Sequence, residues 1–93
     1  MSSPYDWDPE KADANFKKHG VHFSETESVF EDDYAITIAD NESDFEEQRF
    51  VTIGTGLNTR VLVVVYCYRG EKIRIISARL AETVERKQYE EKR

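Results

Sequence analysis

Six cations in the second half of this chain fall on or beside stretches that read as strands: Arg49, Arg60, Arg69, Lys72, Arg74 and Arg79. Arginine presents a planar fork of N–H donors that matches the oxygens of a phosphate or carboxylate. Arg74 is the most pointed case, because Ile73, Ile75 and Ile76 surround it. A guanidinium in such a setting needs a partner, either an internal carboxylate or an external phosphate. The residues alone allow both. Arg60, Arg69 and Lys72 lie at or near turns, where a solvated charge is the ordinary reading. Strand parity places Arg74, Ile76 and Ala78 on one face, and Ile73, Ile75, Ser77 and Arg79 on the other. Arg74 and Arg79 therefore converge only if the strand is bulged or ends before Arg79.

Other chemistry is sparse. Histidine is a residue type suited to general acid or base chemistry, so His19 can act in that way, or it can simply satisfy the last carbonyls of a helix. Trp7 can stack on a base or serve as a packing anchor. Tyr66 and Tyr68 share one strand face and read as core residues with a polar tip. His19, His22 and Cys67 make no metal set: the two histidines straddle Gly20, and a structural zinc site would need a second cysteine. Gly54-Thr55-Gly56 lacks the lysine and helix of a phosphate-binding loop, and no nucleophile elbow is present. No cofactor is expected.

These residues need elements to hold them. Asp8-Pro9 opens a helix that Gly20 closes, with Lys17, Lys18 and His19 in its last turn. Ser24 and Glu27 have capping-box form and start a short second helix ending near Glu31. Alternation from Tyr34 to Ala39 predicts a half-buried strand, followed by an acidic loop over residues 40–48. Arg49 to Gly54, Val61 to Tyr68 and Lys72 to Ala78 read as three further strands, joined by turns at 54–59 and 69–71. The run Val61 to Tyr68 is apolar on both parities and reads as the most buried strand. A polar helix capped by Thr83 follows. The expected fold is α+β: two N-terminal helices, a four-stranded mainly antiparallel sheet, and a C-terminal helix, all in one domain over 1–93.

Net charge qualifies any reading that involves polyanions. The 93 residues carry −6 overall. Residues 1–48 hold 14 acidic and 3 basic side chains, a balance of −11, whereas residues 49–93 hold 5 and 10, a balance of +5. That asymmetry predicts that only one face is fit to meet a polyanion. With 39% hydrophobic and 12% aromatic residues the chain can fill a core. Its longest apolar run is far short of the ~20 residues of a membrane helix. The N-terminus lacks the form of a signal peptide, and the single Cys67 reads as a buried, inert thiol, so cytoplasm is the expected location.

The ordered segments resemble the BrnT toxins, the domain-of-unknown-function 497 group. They are Trp7-Asp8-Pro9-Glu10-Lys11-Ala12 with Asn15; Lys18-His19-Gly20-Val21 with Phe23; and Glu47-Gln48-Arg49-Phe50 with Ile53-Gly54. Val63-Val64-Val65, the run Ile73 to Arg79, and Glu85-Arg86 with Gln88, Tyr89 and Glu90 complete the set. The resemblance implies a RelE-like ribonuclease fold and a type II toxin that cleaves RNA without metal and inhibits translation. It implies a BrnA-like antitoxin as partner in a toxin–antitoxin hetero-oligomer, operator DNA being met only through that antitoxin, and no membrane. In such chemistry the 2′-OH attacks the adjacent phosphate, cations hold the extra charge, and titratable groups move the protons. Carried onto this chain, the catalytic candidates are His19, Lys18, Arg49, Arg74 and Arg79. The RNA-binding candidates are Trp7, Lys11, Arg74 and Arg79. Glu82 and Val84 stand where the family commonly has basic residues, and the first half is more acidic than is usual. A non-catalytic or attenuated member, acting as an antitoxin-binding module in operon autoregulation, is the alternative; a plain domain whose arginines pair with its own carboxylates is a third.

Overall fold

The computed structural model describes residues 3–40 and 47–91. Helix α1 (Pro9–His19) has the ends its sequence dictates. Asp8 Oδ1 accepts the Glu10 N–H at 2.9 Å, and Gly20 sits in the left-handed region (φ 70°), its N–H donating to Phe16 O at 2.7 Å. The second N-terminal helix is a 3-10 helix (Phe23–Glu31). Its cap differs from the expected Ser24–Glu27 pair: the Glu25 carboxylate accepts the His22 N–H at 3.1 Å. Thr26 Oγ1 bonds back to Phe23 O at 2.7 Å, a local bond that competes with α-helical pairing.

The sheet has five strands rather than four, and it is mixed. Strands β1 (Tyr5–Asp6), β2 (Ile36–Asp40), β3 (Arg49–Thr55), β4 (Val61–Arg69) and β5 (Lys72–Leu80) lie in the order β1-β5-β4-β3-β2. β2 to β5 form the expected antiparallel meander, while β1 joins β5 in parallel. A two-residue strand has no sequence signature of its own, which is why it goes unread. Residues 41–46 of the expected acidic loop lie outside the described residues. Helix α2 (Thr83–Glu91) starts one residue earlier than a cap at Thr83 implies: Arg86 N–H donates to Glu82 O, which makes Glu82 the capping residue and Thr83 the first residue of the helix.

Strand β5 carries the decisive irregularity. Val65 pairs with Ser77 and Tyr66 with Ile75, so Ile76 is an extra residue in the ladder. The bulge flips the parity beyond it. Ile75 and Ala78, three apart, both enter the core, and Arg74 and Arg79 come onto the same face. Past the end of β1, α1 covers the β5 edge: the Asn15 carboxamide donates to Ala78 O at 2.8 Å and accepts the Ala78 N–H at 3.1 Å. It stands in for a strand's peptide group and satisfies an edge that would otherwise be open. Val21, Phe23, Val29, Leu62, Val64, Tyr66, Ile75 and Ala78 form the core between the 3-10 helix and one sheet face. Gly54 lets that helix approach β3, because a Cβ there would meet Val29 Cγ1 at 3.0 Å.

Candidate functional site

The other sheet face bears a row of aligned residues. Asp6 on β1 pairs with Arg74 on β5, Arg74 with Cys67 on β4, Cys67 with Arg49 on β3, and Arg49 with Asp40 on β2. The order across five strands is carboxylate, guanidinium, thiol, guanidinium, carboxylate. Directly paired residues project to the same side, and two strand spacings put Arg49 and Arg74 about 10 Å apart at their Cα atoms. A cleft of about 260 Å³ opens over this row, lined by Asp8, Lys11, Glu47, Arg49, Cys67, Arg69 and Arg74 with Ile75 and Ile76. Asp8 and Lys11 arrive from the first turn of α1, whose macrodipole adds positive character.

Carboxylates already contact the cations here. Arg74 Nη1 meets Asp6 Oδ2 at 2.7 Å, and Arg69 Nη2 meets Glu47 Oε1 at 3.0 Å. Hydrogen bonding from Arg74 holds the Asp6 carboxyl below its usual range, and Glu47 raises Arg69. Glu47 Oε2 also accepts the Cys67 thiol at 3.8 Å. The charge division along the chain is therefore not a division in space. Acidic residues of the first half, Asp6, Glu25 and Glu47, pair with Arg74, Arg60 and Arg69 of the second.

Of the residues singled out in the sequence, the cleft gathers Lys11, Arg49 and Arg74. Lys18 lies two turns beyond Lys11 on the same helical side, about 10 Å along the axis, and His19 about 12 Å. Trp7 points to the core, edge-on to Phe23 with centroids 6.0 Å apart, and acts as the packing anchor. Arg79 shares the face of Arg74, but Val63, its partner on β4, is four residues from Cys67, about 13 Å. Arg60 is no solvated turn charge; it reaches Gly20 O at 3.1 Å and Glu25 at 2.8 Å. Asp6, Asp8 and Glu47 enter the site unannounced, and Arg69, read as a solvated turn charge, lines the cleft and pairs with Glu47. The tight turn after Arg69 does contain the signal, since pairing Arg69 with Lys72 forces Cys67 opposite Arg74.

Arg79 is held by Glu85 through two parallel bonds of 2.8 and 2.9 Å. Those bonds, helped by the Glu82 N–H, pull the Glu85 carboxyl down to about 2. A folded-state value below the unfolded one stabilises the protein above the unfolded pKa and loses that contribution as pH falls through the folded one. Glu85→Gln is thus expected to lower the melting temperature at pH 7. The gap from wild type should close as pH falls from about 4.5 towards 2, as calorimetry across that range would show. A gap independent of pH would refute the assignment.

Among the described residues no group of three or more His, Cys, Asp or Glu side chains converges to hold a metal ion, and no helix is long and apolar enough to cross a membrane. Fold and cleft together define a small α+β protein with a cationic, partly self-neutralised groove across its sheet. A family model described as "Ribonuclease toxin, BrnT, of type II toxin-antitoxin system" matches residues 7–85. The chain belongs to this BrnT family of type II toxins. The crystal structure of the Brucella abortus ribonuclease toxin BrnT is similar in fold, with a TM-score of 0.62 and 24% identity over 83% of this chain and 94% of that one. No curated protein matches the sequence.

Proposed function

We propose that this chain is an endoribonuclease that cleaves RNA without a metal ion, arrests translation, and is neutralised by a BrnA-type antitoxin. The observation that carries the reading is the aligned row placing Arg49 and Arg74 on either side of Cys67, with Lys11 on the rim. An RNA phosphate seated between the two guanidinia meets fixed donors where charge develops during attack. The 2′-oxygen bonds to phosphorus as the bond to the 5′-oxygen breaks, leaving a 2′,3′-cyclic phosphate and a 5′-hydroxyl. Asp8 takes the 2′-OH proton and Lys11 supplies one to the departing oxygen; both lie in the cleft, three residues apart on one helix side. Lys18 and His19 meet the RNA strand further along α1 rather than the reacting atoms. Arg79, tied to Glu85, steadies α2 and flanks the path.

The test is cleavage of RNA by the purified protein in EDTA. Asp8→Asn discriminates well, because asparagine caps a helix as effectively as aspartate but cannot take a proton. Retained folding with cleavage reduced by about 10²-fold or more is the expected result. One observation favours a second reading: the Arg74–Asp6 and Arg69–Glu47 pairs already satisfy cations of the cleft. A protein that leaves RNA intact in EDTA yet binds its antitoxin tightly is the non-catalytic module.

A further inference from the structure

Two carboxylates, Asp6 beside the cleft and Glu47 in its lining, are ion-paired with cleft arginines. Asp6 reaches Arg74 from β1, and Glu47 reaches Arg69 and the Cys67 thiol from the start of β3. Neither is a helix cap, neither is buried, and both carboxylates are open to solvent, with Asp6 at 38% and Glu47 at 47% exposure. Groups so placed can swing aside at little packing cost. We propose that Asp6 and Glu47 determine substrate specificity by acting as internal counter-ions: they exclude isolated phosphates and admit a polynucleotide strand. This inference rests on the ribonuclease reading and names what that site selects.

Binding of a phosphate here is an exchange of partners. A lone phosphate that displaces Asp6 from Arg74 replaces one charge-assisted bond with another of the same kind, and gains little. A strand carries its phosphates in series. Once one is seated, the next binds at the high effective concentration of a tethered group, and Lys11 can be engaged together with Arg69 and Arg74. Two carboxylates displaced by several phosphates is a favourable trade; one displaced by one is not. The filter therefore works on chain length rather than on base identity.

Three proteins decide the matter: wild type, Asp6→Asn and Glu47→Gln. Binding of a 2′-O-methyl oligoribonucleotide, which cannot be cleaved, is followed by fluorescence anisotropy over a salt series, with inorganic phosphate as competitor. Each variant is expected to bind the oligonucleotide about fivefold tighter, as the loss of one exposed ion pair would allow. Its salt slope should steepen by about 0.7, the value for one more phosphate contact on a single strand. Inorganic phosphate should compete at lower concentration than against wild type. If Asp6 and Glu47 merely position the arginines, binding weakens and the proposal is overturned; an unchanged slope overturns it too. If wild type cleaves RNA but neither variant binds tighter, the filter fails alone. If no protein cleaves while the variants bind tighter, the ribonuclease reading fails and the filter stands. Absence of binding by all three removes both. Because Asp6 and Glu47 lie on different strands, a folding defect in one variant leaves the other to answer.

Discussion

Arg74→Ala lowers RNA cleavage by about 10²–10³-fold, the usual consequence of removing one fixed donor from a developing oxyanion. The residue combines three properties. Its side chain is 25% exposed, enough to reach a ligand but little enough to be held in place. It stands in line with Arg49 across a single intervening strand. Its present partner, Asp6, is more exposed than itself and can yield. Arg74→Lys keeps the charge but loses the fork, so its activity should fall between the other two proteins. Steady-state cleavage in EDTA, with circular dichroism to confirm folding, measures all three. Arg79→Ala is the control for location. It should cost stability while leaving most of the cleavage, because Glu85 occupies its guanidinium and the cleft is about 13 Å away along the strands. Full activity of Arg74→Ala would remove this cleft from consideration.

Glu25→Ala carries the largest expected effect on stability, about 3 kcal/mol, or a fall in melting temperature of roughly 12–24 °C for a domain of this size. Its side chain is 8% exposed and ionic, and its oxygens accept from the His22 N–H, Arg60 and Asn58. Its backbone carbonyl accepts the Leu57 N–H at 3.1 Å, which pins the β3–β4 turn to the 3-10 helix. Gly56 belongs to the same junction: a Cβ there would meet Leu62 Cδ1 at 2.6 Å and Glu25 O at 3.0 Å. Removing the carboxylate strands the N–H of His22 and the cation of Arg60 at once. Arg60 retains partial access to water, which keeps the penalty below the upper limit for a buried pair. Glu25→Gln preserves shape and some acceptor capacity and should lose about half as much. A double-mutant cycle with Arg60→Ala separates the ion pair from the rest. A melting temperature within a few degrees of wild type would show that the junction is not what holds the turn.

The legible parts of this fold are the local ones. Asp8, Pro9 and Gly20 define α1 through bonds between near neighbours, and the turn at Gly70 (φ 62°) sets the β4–β5 hairpin. The strands around Arg49, Val61 and Lys72 follow from apolar content and turn residues. The illegible parts depend on distant residues. β1 exists because β5 is there to pair with it. The bulge at Ile76 is hidden by the run Ile75-Ile76, where either residue suits an apolar face, so parity could state the condition for Arg74 and Arg79 to converge but not whether it was met. Arg60 reads as a turn charge until Glu25, 35 residues earlier, is found beside it. Of the candidate site, the cations Lys11, Arg49 and Arg74 were legible by type, whereas Asp6 and Glu47 were not, because a carboxylate in an acidic half gives no sign of which arginine it meets. Lys18, His19, Trp7 and Arg79 were plausible by chemistry and are separated from the cleft by helix rise, by inward packing or by the Glu85 clamp.

The parallel seam between β1 and β5 has a consequence in time. Asp6 and Arg74 are 68 residues apart in sequence, and Asn15 and Ala78, which finish the same edge, are 63 apart. Contacts of such separation close late, after the loop between them is paid for in entropy. During synthesis α1 and the meander's early hairpin can form while the groove still lacks a wall, and a chain halted before Arg74 never acquires one. The cleft is thus complete only once the chain has been made as far as β5, and its shape depends on contacts between the two ends of the sequence.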